Sequence, residues 1–225
     1  MPSPAALHFA FETAGYLAGA VLYTLLRQRR GDVIPDAARL NVLVGAAVGA
    51  AIGSRLLAWL CDPDLTRSIL AGKTIVGGLL GGLIGVELAK KLAGIRQRTG
   101  DLLVLPLITA MAIGRIGCFL AGPVDRTAGL PSALPWAIAM GDGIRRHPVA
   151  LYEIAFLIVL GFTTRKFRVF LPSYLAFRFF VDFLKPDPPP LVASLTAIQL
   201  ACLAGLAWYA WEYAAESGNR QPETA

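Results

Sequence analysis

Long apolar stretches separated by short polar connections make up almost the whole chain. A helix of about 20 apolar residues crosses the ~30 Å hydrocarbon core of a membrane, so each long stretch predicts one spanning helix. Seven such stretches cover approximately residues 8–27, 40–61, 72–92, 102–121, 148–164, 169–184 and 192–213. The pattern therefore predicts an all-α, polytopic membrane protein, with one transmembrane domain over residues 1–215 and a small external loop region over about 122–147.

Basic residues are concentrated in every second connection, which predicts the orientation of the chain. Connections rich in lysine and arginine stay in the cytoplasm, so the N-terminus and the loop 122–147 face outward. The polar tail, 216–225, is predicted to be cytoplasmic and disordered. We interpret the first stretch as a retained helix and not a cleaved signal peptide, because no basic segment precedes it. The basic residues are Arg27, Arg29, Arg30 and Arg39, then Lys90, Lys91, Arg96 and Arg98, then Arg165, Lys166 and Arg168.

Composition supports the membrane class and excludes several functions. Of the 225 residues, 56% are hydrophobic and only 16% are charged, whereas soluble domains carry about 25% charged residues. The net charge of +6 follows from the basic connections, so it does not indicate nucleic-acid binding. The three cysteines have no paired spacing, which predicts neither a disulfide framework nor a metal site. No cofactor is predicted.

Ionisable side chains lie at similar depths in several of the predicted helices. Arg55, Arg115 and Arg178 each lie five or six residues, about 8 Å, below the outer end of their stretch. Such charges are costly within a membrane and mark a functional site by default. Glu153 is deep enough to need a partner, for which an arginine of this layer is a candidate. The layer also includes Glu12 at a comparable depth and Lys73, His147 and Asp182 slightly higher.

Two interpretations of this layer remain open. In the structural one, long side chains reach the membrane surface or pair within the bundle, as Arg178 and Asp182 can, four residues apart on one helix. In the functional one, arginines from different helices meet around the phosphate of an anionic lipid headgroup, since a guanidinium suits phosphate oxygens. Several cations around one phosphate would also stabilise it as a leaving group.

His147 adds a candidate general base. It precedes Pro148, which suits the first turn of a helix, so His147 is expected to cap the fifth helix at its outer end. The helix dipole and the neighbouring Arg145 and Arg146 favour a neutral imidazole, which can accept a proton. A histidine that only caps or hydrogen-bonds is an equally open alternative.

Several short motifs resemble the bacterial prolipoprotein diacylglyceryl transferase family. Gly114-Arg115-Ile116-Gly117 resembles the family signature G-R-[IL]-G-N-F. The stretch from His147 to Glu153, HPVALYE, resembles H-P-S-Q-L-Y-E. The segment from Tyr174 through Arg178 to Asp182 resembles Y-x-x-x-R-F-x-x-E.

The resemblance implies an enzyme of the bacterial cytoplasmic (inner) membrane with its site toward the outer leaflet. It would move a diacylglyceryl group from phosphatidylglycerol to the lipobox cysteine thiol of a prolipoprotein. On that model Arg115 and Arg178 hold the phosphate, Tyr152 and Glu153 shape the site, and His147 lies at its mouth. The further candidate substrate-binding residues are Arg55, Lys73, Asp182 and Cys118.

The chain departs from the family pattern at three polar positions. Cys118 replaces the asparagine, Pro123 replaces a glutamate, and a family histidine falls near Leu80. These losses keep a second hypothesis open, a noncatalytic lipid-binding or assembly protein on the same scaffold. A transporter is a third hypothesis, but transporters often contain repeated halves, and this sequence shows no internal repeat.

Overall fold

The computed structural model describes residues 3–62, 72–122, 128–186 and 189–218, and its described part is mainly helical. Each of the seven predicted stretches contains a helix, so the prediction of an all-α protein is confirmed. Pro123 and most of the predicted tail, 219–225, lie outside the described residues. The helices are α1 (Pro4–Arg30), α2 (Asp36–Cys61), α3 (Ile75–Leu92), α4 (Val104–Ala121), α5 (Val149–Thr163), α6 (Phe167–Val181) and α7 (Ala197–Gly218), with 3-10 turns at Gly100–Leu103 and Asp182–Leu184.

Side-chain caps explain where two helices begin. Ser3 caps α1, because its hydroxyl accepts a hydrogen bond from the Ala6 amide at 3.2 Å, and Pro4 suits the first helical position. Thr196 and Gln199 form a reciprocal capping box at α7. The Thr196 hydroxyl accepts from the Gln199 amide at 3.1 Å, and the Gln199 carbonyl oxygen accepts from the Thr196 amide at 2.9 Å. The last helix therefore begins at Ala197 instead of the predicted 192.

The helices have the surface expected in a membrane. Among the described residues, three segments are long and apolar enough to cross it, namely Pro4–Arg30, Asp36–Cys61 and Gly100–Ala121, and the apolar helix Val149–Thr163 is shorter. Large apolar side chains such as Phe9 and Phe162 are exposed on these helices, and such a surface fits contact with lipid. The protein is therefore an all-α membrane protein. The crossing by all seven helices and the sides of the termini stay predictions.

A short hairpin occupies the loop before α5. Strand β1 (Ile138–Ala139) pairs antiparallel with β2 (Arg145–Arg146), and Gly141 and Gly143 adopt positive φ angles of 94° and 76° in the turn. The hydrogen bond that Asp142 accepts from the Ile144 amide, assisted by the guanidinium of Arg146, lowers the pKa of the Asp142 carboxyl. The ionised Asp142 therefore stabilises this turn at neutral pH.

The chain divides into two compact units, of which the first comprises Met1–Asp36, Arg96–Phe170 and Phe183–Asp187. In this unit α4 packs against both α1 and α5. Gly15 and Gly19 of α1 allow the close approach, because a Cβ at Gly15 would lie 2.6 Å from the carbonyl oxygen of Ala110. Small residues at this spacing let membrane helices pack closely.

The second unit comprises Ala37–Ile95, Leu171–Asp182 and Pro188–Ala225. Its helices α2 and α3 meet along two rows of glycine, where an added Cβ would overlap the backbone of the facing helix. The four-residue glycine spacing thus serves helix packing here. The rows are Gly45, Gly49 and Gly53 on α2 and Gly77, Gly81 and Gly85 on α3.

We expect Gly49→Ala to lower the free energy of unfolding by about 1–3 kcal/mol, because the new methyl group overlaps the Gly81 carbonyl. Gly78→Ala is the matched control, since its Cβ would meet Ser54 at an ordinary 3.8 Å. Thermal unfolding in detergent compares the two variants. Equal melting temperatures would contradict the close backbone contact between α2 and α3.

Candidate active site

A buried ion pair joins α4 and α5 in the first unit. The Arg115 Nε lies 2.8 Å from the Glu153 Oε1, and the two side chains are only 9% and 1% exposed. Isolated charges are costly at such depth, and removing either partner leaves the other uncompensated. Glu153 therefore balances the charge of Arg115 and fixes the orientation of its guanidinium.

Cys118 and His8 extend this group toward α1. The Arg115 Nη1 donates to the Cys118 Sγ at 3.6 Å, and that sulfur lies 3.9 Å from the His8 Nδ1. Gly117 allows the approach, because a Cβ there would lie 2.7 Å from the Phe11 Cβ on α1. His8 was not among the predicted site residues. Its position at the outer end of the first stretch was the signal that could have found it.

His147 belongs to a second polar group in this unit. Its Nδ1 lies 3.2 Å from the Tyr152 hydroxyl, which also accepts a hydrogen bond from the Trp136 Nε1 at 2.7 Å. Pro148 is the residue at the cap position of α5, and its side chain makes no capping bond. The expectation that His147 caps the helix is therefore corrected, because the imidazole contacts Tyr152 instead. Trp136, which lies two residues before β1, was not among the predicted site residues.

Hydrogen bonds to the loop before the hairpin hold the backbone of His147 in place. The His147 amide donates to the Leu130 carbonyl at 3.1 Å, and the His147 carbonyl accepts from the Gly129 amide at 3.2 Å. Arg145 donates from Nη2 to the Pro135 carbonyl at 3.0 Å and from Nε to the Ala137 carbonyl at 3.1 Å. These bonds position Trp136 beside Tyr152.

Arg178 lies in a buried network of the second unit. Its Nη2 donates to the Asp182 Oδ1 at 3.1 Å, and the Thr196 hydroxyl donates to the Asp182 Oδ2 at 2.7 Å. The Gln199 side chain adds a bond to the Phe179 carbonyl at 3.2 Å. Both oxygens of Asp182 are engaged by the protein, so the geometry favours Asp182 as the residue that positions Arg178.

Arg55 and Lys73 lie on the exposed surface of the second unit. Arg55 follows Ser54 and Lys73 precedes Thr74, and these two neighbours are hydrogen-bonded to each other. The Ser54 hydroxyl donates to the Thr74 carbonyl at 2.9 Å, and the Thr74 hydroxyl donates to the Ser54 carbonyl at 3.2 Å. These bonds hold the backbone of Arg55, near the C-terminal end of α2, close to that of Lys73, just before the N-terminal end of α3.

Each unit brings together part of the predicted site. The first contains Arg115, Glu153, Cys118, His147 and Tyr152, and the second contains Arg55, Lys73, Arg178 and Asp182. The hypothesis that Arg115 and Arg178 hold one phosphate stays a prediction. Within the described ranges, no three His, Cys, Asp or Glu side chains are grouped so that they could hold a metal ion.

These features define a helical membrane protein with arginines buried beside carboxylates. The chain belongs to the prolipoprotein diacylglyceryl transferase family, since the model of that family matches residues 9–213. A Clostridium tetani phosphatidylglycerol–prolipoprotein diacylglyceryl transferase is 29% identical over 84% of this chain and 84% of its own. A Cupriavidus pinatubonensis protein of the same name is 31% identical over 82% of this chain and 75% of its own. The family predicted from the motifs is confirmed.

Replacing Glu153 by Leu should lower the free energy of unfolding by about 3–5 kcal/mol, because the buried Arg115 charge loses its carboxylate. The double variant Arg115→Met, Glu153→Leu removes both charges and should recover most of that loss. Thermal unfolding of both variants in one detergent measures the difference. A double variant no more stable than Glu153→Leu would contradict the compensation inferred here.

Proposed function

We propose that the protein transfers the diacylglyceryl group of phosphatidylglycerol to the cysteine thiol of a prolipoprotein. The sulfur forms a bond to the glyceryl carbon, the bond from that carbon to the phosphate oxygen breaks, and glycerol phosphate leaves. The thiol proton passes to a base. The observation that carries this proposal is the buried Arg115–Glu153 pair, which lies inside the region matched by the family model.

In this proposal Arg115 binds the phosphate of the donor lipid. A guanidinium is planar and matches phosphate oxygens, and a water-poor setting strengthens the contact. Negative charge grows on the phosphate as the carbon–oxygen bond breaks, so a fixed cation stabilises the transition state more than the ground state. Glu153 keeps the guanidinium in one orientation before the lipid arrives.

Arg178 is the second arginine that we assign to the phosphate. The family resemblance supports this role, and so does the way Arg178 is held. Asp182 fixes the guanidinium, and Thr196 fixes Asp182 from the start of α7. An arginine held by a carboxylate that is itself fixed is preorganised, which reduces the reorganisation needed during the reaction. Arg55, Lys73, Cys118 and Tyr152 remain candidates for contact with the substrates.

His147 is the base that we favour for the thiol proton. If its Nδ1–H is donated to the Tyr152 oxygen, the Nε2 lone pair is left to accept a proton. The Tyr152 oxygen has two lone pairs, so in this tautomer it accepts from both Trp136 and His147. His8 is the competing imidazole, because it lies beside Cys118 in the Arg115 group.

We further propose that all seven helices of a single membrane domain cross the bacterial cytoplasmic membrane. The N-terminus would lie outside and the C-terminus in the cytoplasm, as the alternating basic connections favour. The reaction would then take place toward the outer leaflet, where Arg115, Glu153 and His147 lie at one end of α4 and α5. The donor is an anionic phospholipid, and the acceptor is the cysteine thiol of a prolipoprotein, which binds together with its signal peptide.

One observation favours a noncatalytic alternative. Leu80, near the position of a family histidine, packs against α7, where a Cβ on Gly205 would lie 3.0 Å from the Leu80 Cδ2. That position is thus devoted to apolar packing. A lipid-binding or assembly protein would retain phosphatidylglycerol and leave it intact over time.

We expect purified wild-type protein to convert labelled phosphatidylglycerol and a lipobox peptide into thioether-linked peptide and glycerol phosphate. Arg115→Gln should lower kcat by about 10²–10³, and Arg115→Lys should recover only part of it because lysine lacks the planar fork. Arg29→Gln, an exposed arginine at the far end of α1, is the control and should keep wild-type activity. Intact donor and unmodified peptide with the wild type would overturn the proposal in favour of the noncatalytic alternative.

The variants His147→Gln and His8→Gln distinguish which of the two histidines accepts the thiol proton. If His147 is the base, its replacement should lower kcat by about 10²–10⁴, while His8→Gln changes kcat much less. Tyr152→Phe should have an intermediate effect because it removes the oxygen that orients the imidazole. Rates at saturating lipid measure this, and a larger loss in His8→Gln would assign the proton to His8.

A further inference from the structure

A cavity with charged residues in its wall lies at the other end of the first unit, away from Arg115 and His147. Its volume is about 260 Å³. It is bounded by the end of α1, by the 3-10 turn before α4 and by the connection from α5 to α6. Leu102 in its wall precedes Arg115 by 13 residues, about 20 Å along the helix at 1.5 Å per residue. The cavity is therefore separate from the proposed reaction site.

The wall of this cavity carries an excess of positive charge. Four cationic and two acidic side chains line it, which gives a formal charge of +2. Both carboxylates are engaged by the protein. Asp101 accepts from the Phe167 amide and from the Lys166 Nζ, each at 2.9 Å. Asp32 accepts from the Ile34 amide and from the Tyr23 hydroxyl, each at 3.1 Å. The charged lining residues are Arg30, Arg98, Arg165 and Lys166 with Asp32 and Asp101.

Local packing holds this wall in place. Gly100 lies against the Phe167 ring, where a Cβ would come within 2.8 Å of the Cγ atom. Asp101 ties the same turn to the start of α6 through the Phe167 amide. The Arg165 Nη1 donates to the Thr164 carbonyl at 2.8 Å and also to the Gly161 carbonyl. A preformed wall lowers the ordering cost of binding.

We propose that this cavity binds the phosphate group of an anionic lipid headgroup in the leaflet opposite to the reaction site. Basic connections mark this end of the helices as cytoplasmic, and basic pockets between helices on that side recognise anionic headgroups. The cavity is smaller than the ~300–1,000 Å³ of drug-sized pockets, which fits a headgroup. A soluble phosphate has the same chemistry, so the test must separate the two sources.

The basic residues also set the topology of the chain, and that role alone would not require a binding site. Two neighbouring arginines allow the roles to be distinguished. Arg96 and Arg29 are exposed, carry the same charge and lie within two residues of Arg98 and Arg30, but neither lines the cavity. A site requires Arg98 and Arg30 specifically, whereas topology depends only on the number of charges.

The experiment is native mass spectrometry of the full-length protein, titrated with short-chain phosphatidylglycerol or with phosphatidylcholine of the same chains. We expect the double variant Arg30→Gln, Arg98→Gln to bind one phosphatidylglycerol fewer, or about tenfold more weakly, than the wild type. The control Arg29→Gln, Arg96→Gln should match the wild type. Both doubles are first compared by thermal unfolding, so that a folding defect is not mistaken for lost binding.

Two further arms complete the test. The same loss should appear in an Arg115→Gln background, so the inference stands or falls independently of the proposed reaction. Inorganic phosphate that displaces this lipid at low millimolar concentration would overturn the lipid assignment in favour of soluble phosphate, and no displacement supports the lipid. Equal binding by the two doubles, or equal binding of phosphatidylcholine, would overturn the site altogether.

Discussion

The ion pair between Arg115 and Glu153 is the interaction on which the first unit depends. Neither charge is tolerable alone among apolar helices, so each fixes the rotation of the helix that carries it. Once α4 and α5 are set in this way, Cys118 faces α1 and meets His8. The ion pair thus both stabilises the contact between α4 and α5 and orients Arg115, the residue that we assign to the phosphate.

The second unit also compensates a buried arginine with a carboxylate, but the two residues are arranged differently. Arg178 takes its carboxylate from its own helix, and that carboxylate is fixed by the capping residue of another helix, Thr196. In the same unit, glycine rows bring α2 and α3 into backbone contact. Helices in lipid gain little from burying apolar side chains, so close packing and satisfied polar groups have to hold them together.

Family membership sets the expected chemistry, while two of the described positions show how this chain differs within it. Cys118 stands where the family motif has asparagine, and its sulfur still contacts Arg115. Leu80 has become part of an apolar contact with α7. His8 brings an imidazole to the Arg115 group from a helix that the motifs do not include.

The sequence by itself determined the seven long helices of the described ranges, the alternation of basic connections and the family, because these depend on composition and spacing along short segments. Glu153 was expected to need a partner, but only the tertiary structure selected Arg115, since that choice depends on how α4 and α5 are rotated. The contact of His8 with Cys118, that of Trp136 with Tyr152 and that of Thr196 with Asp182 were likewise decided by packing. Residues far apart in the chain become neighbours only when helices pack, and no local pattern encodes that.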